Sequence, residues 1–122
     1  MTFNEDAWAK VPITTEFDAG FVVGLLVGEG HFGGDWKQPQ VVISMTDRHR
    51  QVFAWLLATF PGSRVNGPYR NAGLGKLSVY RWMARGPFLR QSLVPYLDQY
   101  MSPTRDEYSF GRYQAMKEQY GL

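Results

Sequence analysis

The chain of 122 residues has no cysteine, which excludes disulfides, thiol nucleophiles and the usual cysteine-bearing structural zinc sites. Long apolar runs are missing too. The longest, Phe21 to Val27, falls far short of the roughly 20 residues that span a bilayer. Residues 1–10 carry two acids and no apolar stretch, so they do not read as a signal peptide, and a cytoplasmic protein is the default expectation. There is no internal repeat and no low-complexity tract. The two histidines, His31 and His49, are not at metal-ligand spacing and read as surface or rim residues. With 44% hydrophobic and 16% aromatic residues the chain is not a disordered one. Its length predicts one domain, 1–122, with residues 1–14 as a loose arm and Trp8 a candidate to pack back on the body.

What is present is segregated charge. The net of +2 divides into −5 over residues 1–35, +8 over residues 36–90 and −1 over residues 91–122. The middle stretch carries Lys37, Arg48, Arg50, Arg64, Arg70, Lys76, Arg81, Arg85 and Arg90 against Asp47 alone. Cations scattered singly over a foldable stretch are the electrostatic footprint of a nucleic-acid face.

Glycine is concentrated in Gly20 to Gly33, GFVVGLLVGEGHFG. Gly20, Gly24 and Gly28 recur every fourth residue, so on a helix they make one narrow stripe almost free of side chain. Each costs roughly 1 kcal/mol relative to alanine, and close approach of a second helix would compensate. The stripe ends in Glu29-Gly30, with Gly30 suited to a left-handed C-cap. The acid opposes the helix dipole, so helix stability is not its reason for being there.

The pattern predicts a first helix over Glu16–Gly28, N-capped by Thr15, with Phe17, Phe21, Leu25 and Leu26 facing the core. Strands follow over His31–Lys37 and Gln40–Thr46, the second with Val41, Ile43 and Met45 on its core face. Asp47 reads as the cap of a second helix, Arg48–Phe60, whose apolar set is Val52, Phe53, Leu56, Leu57 and Phe60. Strands over Ser63–Arg70 and Gly75–Ala84 come next, joined by the turn at 71–75. In the last of these, Leu77, Val79 and Met83 are assigned to the apolar face and Lys76, Ser78 and Tyr80 to the polar face, with Arg81 and Trp82 out of phase. A third helix, Phe88–Tyr96, kinks at Pro95, and a last helix opens at Ser102-Pro103 and runs to about Tyr120. The sum is an α+β domain with one four-stranded antiparallel sheet and helices packed on one face.

VVGLLVGEGHF, Val22 to Phe32, resembles the signature of the LAGLIDADG homing endonucleases. Gly24, Gly28, Glu29 and Gly30 stand at its glycine, small-residue, acid and glycine positions, and Val27 replaces its first acid. The predicted element order agrees with the αββαββα half-fold of that family, and Val94-Pro95-Tyr96-Leu97 is similar to its sequence after the fourth strand. The resemblance implies Glu29, with Gly28, at the metal position, and Mg²⁺ or Mn²⁺ as cofactor. One motif copy implies a homodimer joined through Gly20, Val23, Gly24, Val27 and Gly28. The glycine stripe points the same way, because small residues need an equivalent surface against them. Two Glu29 carboxylates at a dyad would repel unless a divalent cation lay between them.

In the same reading double-stranded DNA lies on the sheet, and no membrane or small-molecule cofactor is involved. The contact residues expected are Lys37, Gln38, Gln40, Ser44, Arg64, Asn66, Arg70, Lys76, Ser78 and Tyr80. Asp47, where the family orders the water network, and Arg50, near the scissile phosphates, join Glu29 as catalytic candidates. Tyr100 falls where the family often has lysine, and Arg105 is the nearest basic substitute. The expectation is a homodimeric, metal-dependent endonuclease cutting a long pseudo-palindromic site. The alternatives are a cleavage-inactive relative that binds DNA or intron RNA as regulator or maturase, and an unrelated α+β interaction domain.

Overall fold

The computed structural model describes residues 11–70 and 77–122. Their elements run α1 (Glu16–Glu29), β1 (Gly30–Gly34), β2 (Pro39–Thr46), α2 (Arg50–Thr59), β3 (Arg64–Arg70) and β4 (Ser78–Arg85). Then come a short helical turn α3 (Gly86–Phe88), a π-helical segment (Leu89–Leu93), α4 (Val94–Tyr100) and α5 (Glu107–Tyr120). The four strands form one antiparallel sheet in the order β1-β2-β4-β3. Helices cover one face of it. The core between them buries Val22 and Leu26 of α1, Val41 and Ile43 of β2, Phe53 and Leu56 of α2 and Trp82 of β4. Leu89, Tyr96 and Tyr113 close it from the C-terminal helices. The expected α+β half-fold is therefore the fold observed.

Local chemistry sets the element ends. Thr15 caps α1 as expected, its Oγ1 accepting from the Asp18 N–H at 3.1 Å. At the other end Gly30 is not left-handed. It is extended, φ −80° and ψ 151°, so α1 passes straight into β1 with Glu29 as its last residue. Glycine is required there for a different reason: a Cβ would come within 2.8 Å of Leu26 Cα in the last helical turn. β1 stops at Gly34, shorter than His31–Lys37, because Asp35 turns the chain. Its carboxylate accepts the N–H groups of Lys37 and Gln38 at 3.0 and 2.7 Å, and Pro39 then opens β2.

Asp47 caps nothing. It begins a 3-10 turn, Asp47–His49, with no side-chain cap bond, and α2 starts only at Arg50. Of the apolar set assigned to α2, Phe53, Leu56 and Phe60 are buried, whereas Leu57 is exposed. Pro95 does not end its helix. The chain widens to π geometry over Leu89–Leu93, just before the proline, which relieves the clash its ring would make with the preceding turn. α5 begins at Glu107 rather than Pro103, because Asp106 is the better cap: its Oδ2 accepts from the Ser109 N–H at 3.0 Å. The expected turn at 71–75 and Lys76 lie outside the described residues.

The largest correction concerns β4. Its register against β2 pairs Val41 with Ala84, Ile43 with Trp82 and Met45 with Tyr80, which puts Tyr80, Trp82 and Ala84 on the helix-covered side. Trp82 and Ala84 are fully buried and Tyr80 packs on Phe53, ring centroids 5.9 Å apart. Val79, Arg81, Met83 and Arg85 therefore occupy the open face, the reverse of the sequence assignment. The burial of one indole outweighs the gain from Leu77 and Val79, since aromatic rings carry the most apolar area.

Candidate nucleic-acid interface and the C-terminal end of α1

α1 has two apolar faces. Ala19, Val22, Val23 and Leu26 repeat at helical spacing and face the core. Phe17, Gly20, Phe21, Gly24, Val27 and Gly28 repeat at the same spacing and face outward. Phe17 is 84% exposed and Phe21 42%, so neither is the core residue the sequence pattern predicts. Phe21 leans edge-on against Trp55 of α2 at 5.4 Å. A Cβ added at Gly20, Gly24 or Gly28 would meet no atom within 4 Å. Among the described residues, then, nothing in this chain uses the bareness of the glycine stripe. Val23, expected beside it, is buried and forms the wall between this face and the core. A groove of about 540 Å³ runs beside the stripe and is bordered by Tyr100 and Arg105 as well as by Gly20, Gly24 and Val27. Tyr100 and Arg105, its nearest basic substitute in the sequence reading, thus lie alongside this helix.

The open face of the sheet is chemically different. Strand pairing aligns Ser44, Arg81 and Asn66 in one row, and Val42, Met83 and Arg64 in the next with His31 beyond Val42. Gln40 and Arg85 form a third row. Of the expected contacts, Gln40, Ser44, Arg64 and Asn66 lie on this face, while Lys37 and Gln38 are exposed in the β1–β2 turn at its end. Asn66 Nδ2 donates to Met83 Sδ at 3.0 Å, which fixes its amide. Ser78 and Tyr80 are on the helix-covered side. Arg70, paired with Ser78, shares that side at the exposed end of edge strand β3.

Sequence reading missed Arg81, Arg85 and Tyr69. Arg81 is central on the open face, its guanidinium 5.4 Å above the Tyr69 ring. Arg85 Nη2 donates to Gln38 Oε1 at 3.4 Å and lies 3.7 Å from Asp35. The usable signal was Arg81 and Arg85 at even spacing in one strand, since two buried guanidinium groups would lack counter-ions.

Glu29 stands where these two faces meet. Because Gly30 pairs with Ile43, the end of α1 lies at the Ser44 end of β2, and Asp47 is three residues, about 10 Å of strand, further on. Glu29 is exposed and has no ion-pair partner among the described residues. Arg50 is exposed at the start of α2. Arg112 of α5 also lies near this end, donating to the Phe32 carbonyl at 3.4 Å and lining a small cleft with Val27 and His31. Among the described residues there is no group of three or more His, Cys, Asp or Glu able to hold a metal. One chain offers one carboxylate beside the free carbonyls of a helix end at Gly28. These hard oxygen donors fit Mg²⁺ or Mn²⁺ in kind, and in number only when a second copy and phosphate oxygens complete the set.

Electrostatic shifts mark groups that support the fold. The Gln38 and Lys37 backbone N–H groups hold the Asp35 carboxyl below its ordinary value. Hydrogen bonds from Ser109, side chain and backbone, do the same for Asp106. Burial pushes the Tyr113 hydroxyl strongly up, reinforced by the Asp98 carboxylate to which it donates at 2.7 Å, and this pair ties α5 to α4.

The fold has a solved counterpart. It is similar to the group I intron-encoded homing endonuclease I-CeuI complexed with DNA, with a TM-score of 0.64 and 15% identity, over 89% of this chain and 56% of that one. The chain thus spans just over half the length of that protein. No protein-family model and no curated protein matches the sequence. No helix of the described residues is long and apolar enough to cross a membrane.

Proposed function

We propose that this chain is a homodimeric, divalent-metal-dependent DNA endonuclease that makes double-strand breaks at a long pseudo-palindromic site. The observation that carries the reading is the position of Glu29, an exposed acid at the junction of an outward glycine-lined helix face and an open basic sheet face. The fold it shares with a homing endonuclease complexed with DNA supports the same conclusion.

In this reading two α1 helices pack through Gly20, Gly24 and Gly28, with Phe17 and Phe21 as apolar flanks and Val27 facing its equivalent. Packing brings the two Glu29 carboxylates together over the duplex. Glu29 and the Gly28 carbonyl of both copies would hold a divalent cation, which would supply Lewis acidity toward water and the leaving oxygen. Each Glu29 holds its share of that charge against one strand. Arg105, with Arg50 approaching from α2, neutralises the developing phosphate charge, and Asp47 orients water at the end of β2. Arg64, Arg81 and Arg85 grip phosphates or guanine edges, while Gln40, Ser44 and Asn66 read base edges.

Tyr100 and Val27 favour a second reading, a relative that binds nucleic acid without cutting it, because neither supplies the charge the family carries at its position. Incubation with a randomised long-duplex library in Mg²⁺, then in Ca²⁺, separates the two. Two-fold-symmetric cuts in Mg²⁺ that Glu29→Gln abolishes establish the endonuclease. Salt-sensitive retention without cutting establishes the binding protein. The absence of both cutting and retention overturns the nucleic-acid reading.

A further inference from the structure

Trp36 lies at the tip of the β1–β2 turn, 88% exposed, and adopts φ 74°, the left-handed region that side chains with a Cβ avoid. It is the one non-glycine residue in that region among those described. The turn is over-determined around it. The Asp35 carboxylate takes two backbone N–H groups, the Asp35 N–H donates to the Gln38 carbonyl at 3.1 Å, and the Trp36 N–H donates to the Tyr120 hydroxyl at 3.1 Å. That hydroxyl also closes against Gly34, where a Cβ would clash with it. The end of α5 thus holds a strained backbone whose only visible product is an indole displayed to solvent. Strain maintained from so far along the chain points to use of the side chain it displays.

The turn projects at the Gln40–Arg85 end of the open face, the opposite end from Glu29. Lys37 follows Trp36 directly, and Arg85 is 3.7 Å from Asp35. An exposed aromatic ring followed by Lys37, at the rim of a face that carries Arg85 with its charge shared with Asp35, is the chemistry of base stacking beside phosphate.

We propose that Trp36 is a wedge that stacks into a base step at the outer flank of a bound DNA duplex, opening that step. The proposal rests on the nucleic-acid reading above. The test uses duplexes retained by the wild-type protein from the randomised library, rebuilt with 2-aminopurine at successive positions. Binding raises the emission at an outer position where the step opens. Trp36→Asn, which suits the left-handed backbone, removes that rise and weakens binding by roughly tenfold while melting no lower than the wild type. Trp36→Phe keeps most of both effects. Unchanged affinity and emission in Trp36→Asn overturn the wedge and leave the nucleic-acid reading standing, as when the indole serves a protein partner instead. Equal loss in Trp36→Phe and Trp36→Asn, with a lowered melting temperature, also overturns it, because the residue is then only structural. Failure of the wild type to retain any duplex overturns both.

Discussion

The outward face of α1 and the open face of the sheet lie side by side yet are built on opposite principles. The helix face is stripped of side chain and carries two exposed phenylalanines, and among the described residues lining its groove only Glu16 and Arg105 are charged. The sheet face alternates arginine with amide and hydroxyl groups, and of its apolar members Val42 and Val79 are short and Met83 accepts from Asn66. Bare apolar surface gains by excluding water against a matching surface, whereas a field of guanidinium groups gains by displacing counter-ions from a polyanion. In the proposed reading the first surface meets a second copy and the second a phosphate backbone, with Glu29 between them.

Changing that acid gives the largest effect expected. Glu29→Gln lowers cleavage by about 100-fold or more while self-association and duplex retention stay near wild type, because it removes charge and little volume. If retention falls as steeply as cleavage, the helix end and the sheet are not separable and the comparison fails.

Gly24→Leu is next. A Cβ at Gly24 meets no atom of the described residues within 4 Å, and leucine is favoured over glycine in a helix by somewhat under 1 kcal/mol, so the melting temperature of the monomer holds or rises. Sedimentation equilibrium reads the other half: self-association is lost. A variant that still dimerises removes the role given to the stripe.

Tyr80→Ala against Arg81→Ala tests the two sides of β4. Tyr80→Ala costs about 2 kcal/mol of stability through its lost packing under α2, read by denaturant unfolding. Arg81→Ala leaves stability within about 0.5 kcal/mol but makes the salt dependence of duplex binding shallower by about 1 in logarithmic slope. The reverse pattern restores the sequence-based assignment of faces.

Acid stability is the smallest effect. The Asp35 and Asp106 carboxyls lie below their ordinary value of 3.8 in the folded chain, so their contribution is present above that value and is lost as pH falls through the folded values. Melting temperature should hold from about pH 7 to 5 and drop below about pH 4, and Asp106→Asn, which still caps α5, should soften the drop.

How far the chain could be read shows best in α1 and β4. The helix was legible from Thr15 and the glycine spacing, but its orientation was not. With one apolar set at Ala19, Val22, Val23 and Leu26 and another at Phe17, Phe21 and Val27, periodicity yields two acceptable phases. Assigning the larger rings to the core was reasonable and wrong. In β4 the local pattern conflicted with itself, Trp82 in one phase and Leu77 and Val79 in the other, and only the register against β2 resolved it. Trp36 gave no warning at all, since a left-handed backbone at tryptophan depends on Asp35 one residue away and on Tyr120 at the end of the chain.

Element order, sheet content, segregated charge and the glycine-acid motif were determined by the sequence alone, because each depends on neighbours within a turn or a strand. Tertiary structure decided which face of α1 is bare and which side of β4 is open. It also decided that the display of Trp36 is held from the far end of the chain. Those choices compare whole-chain burial alternatives, and no local window contains the competing partners.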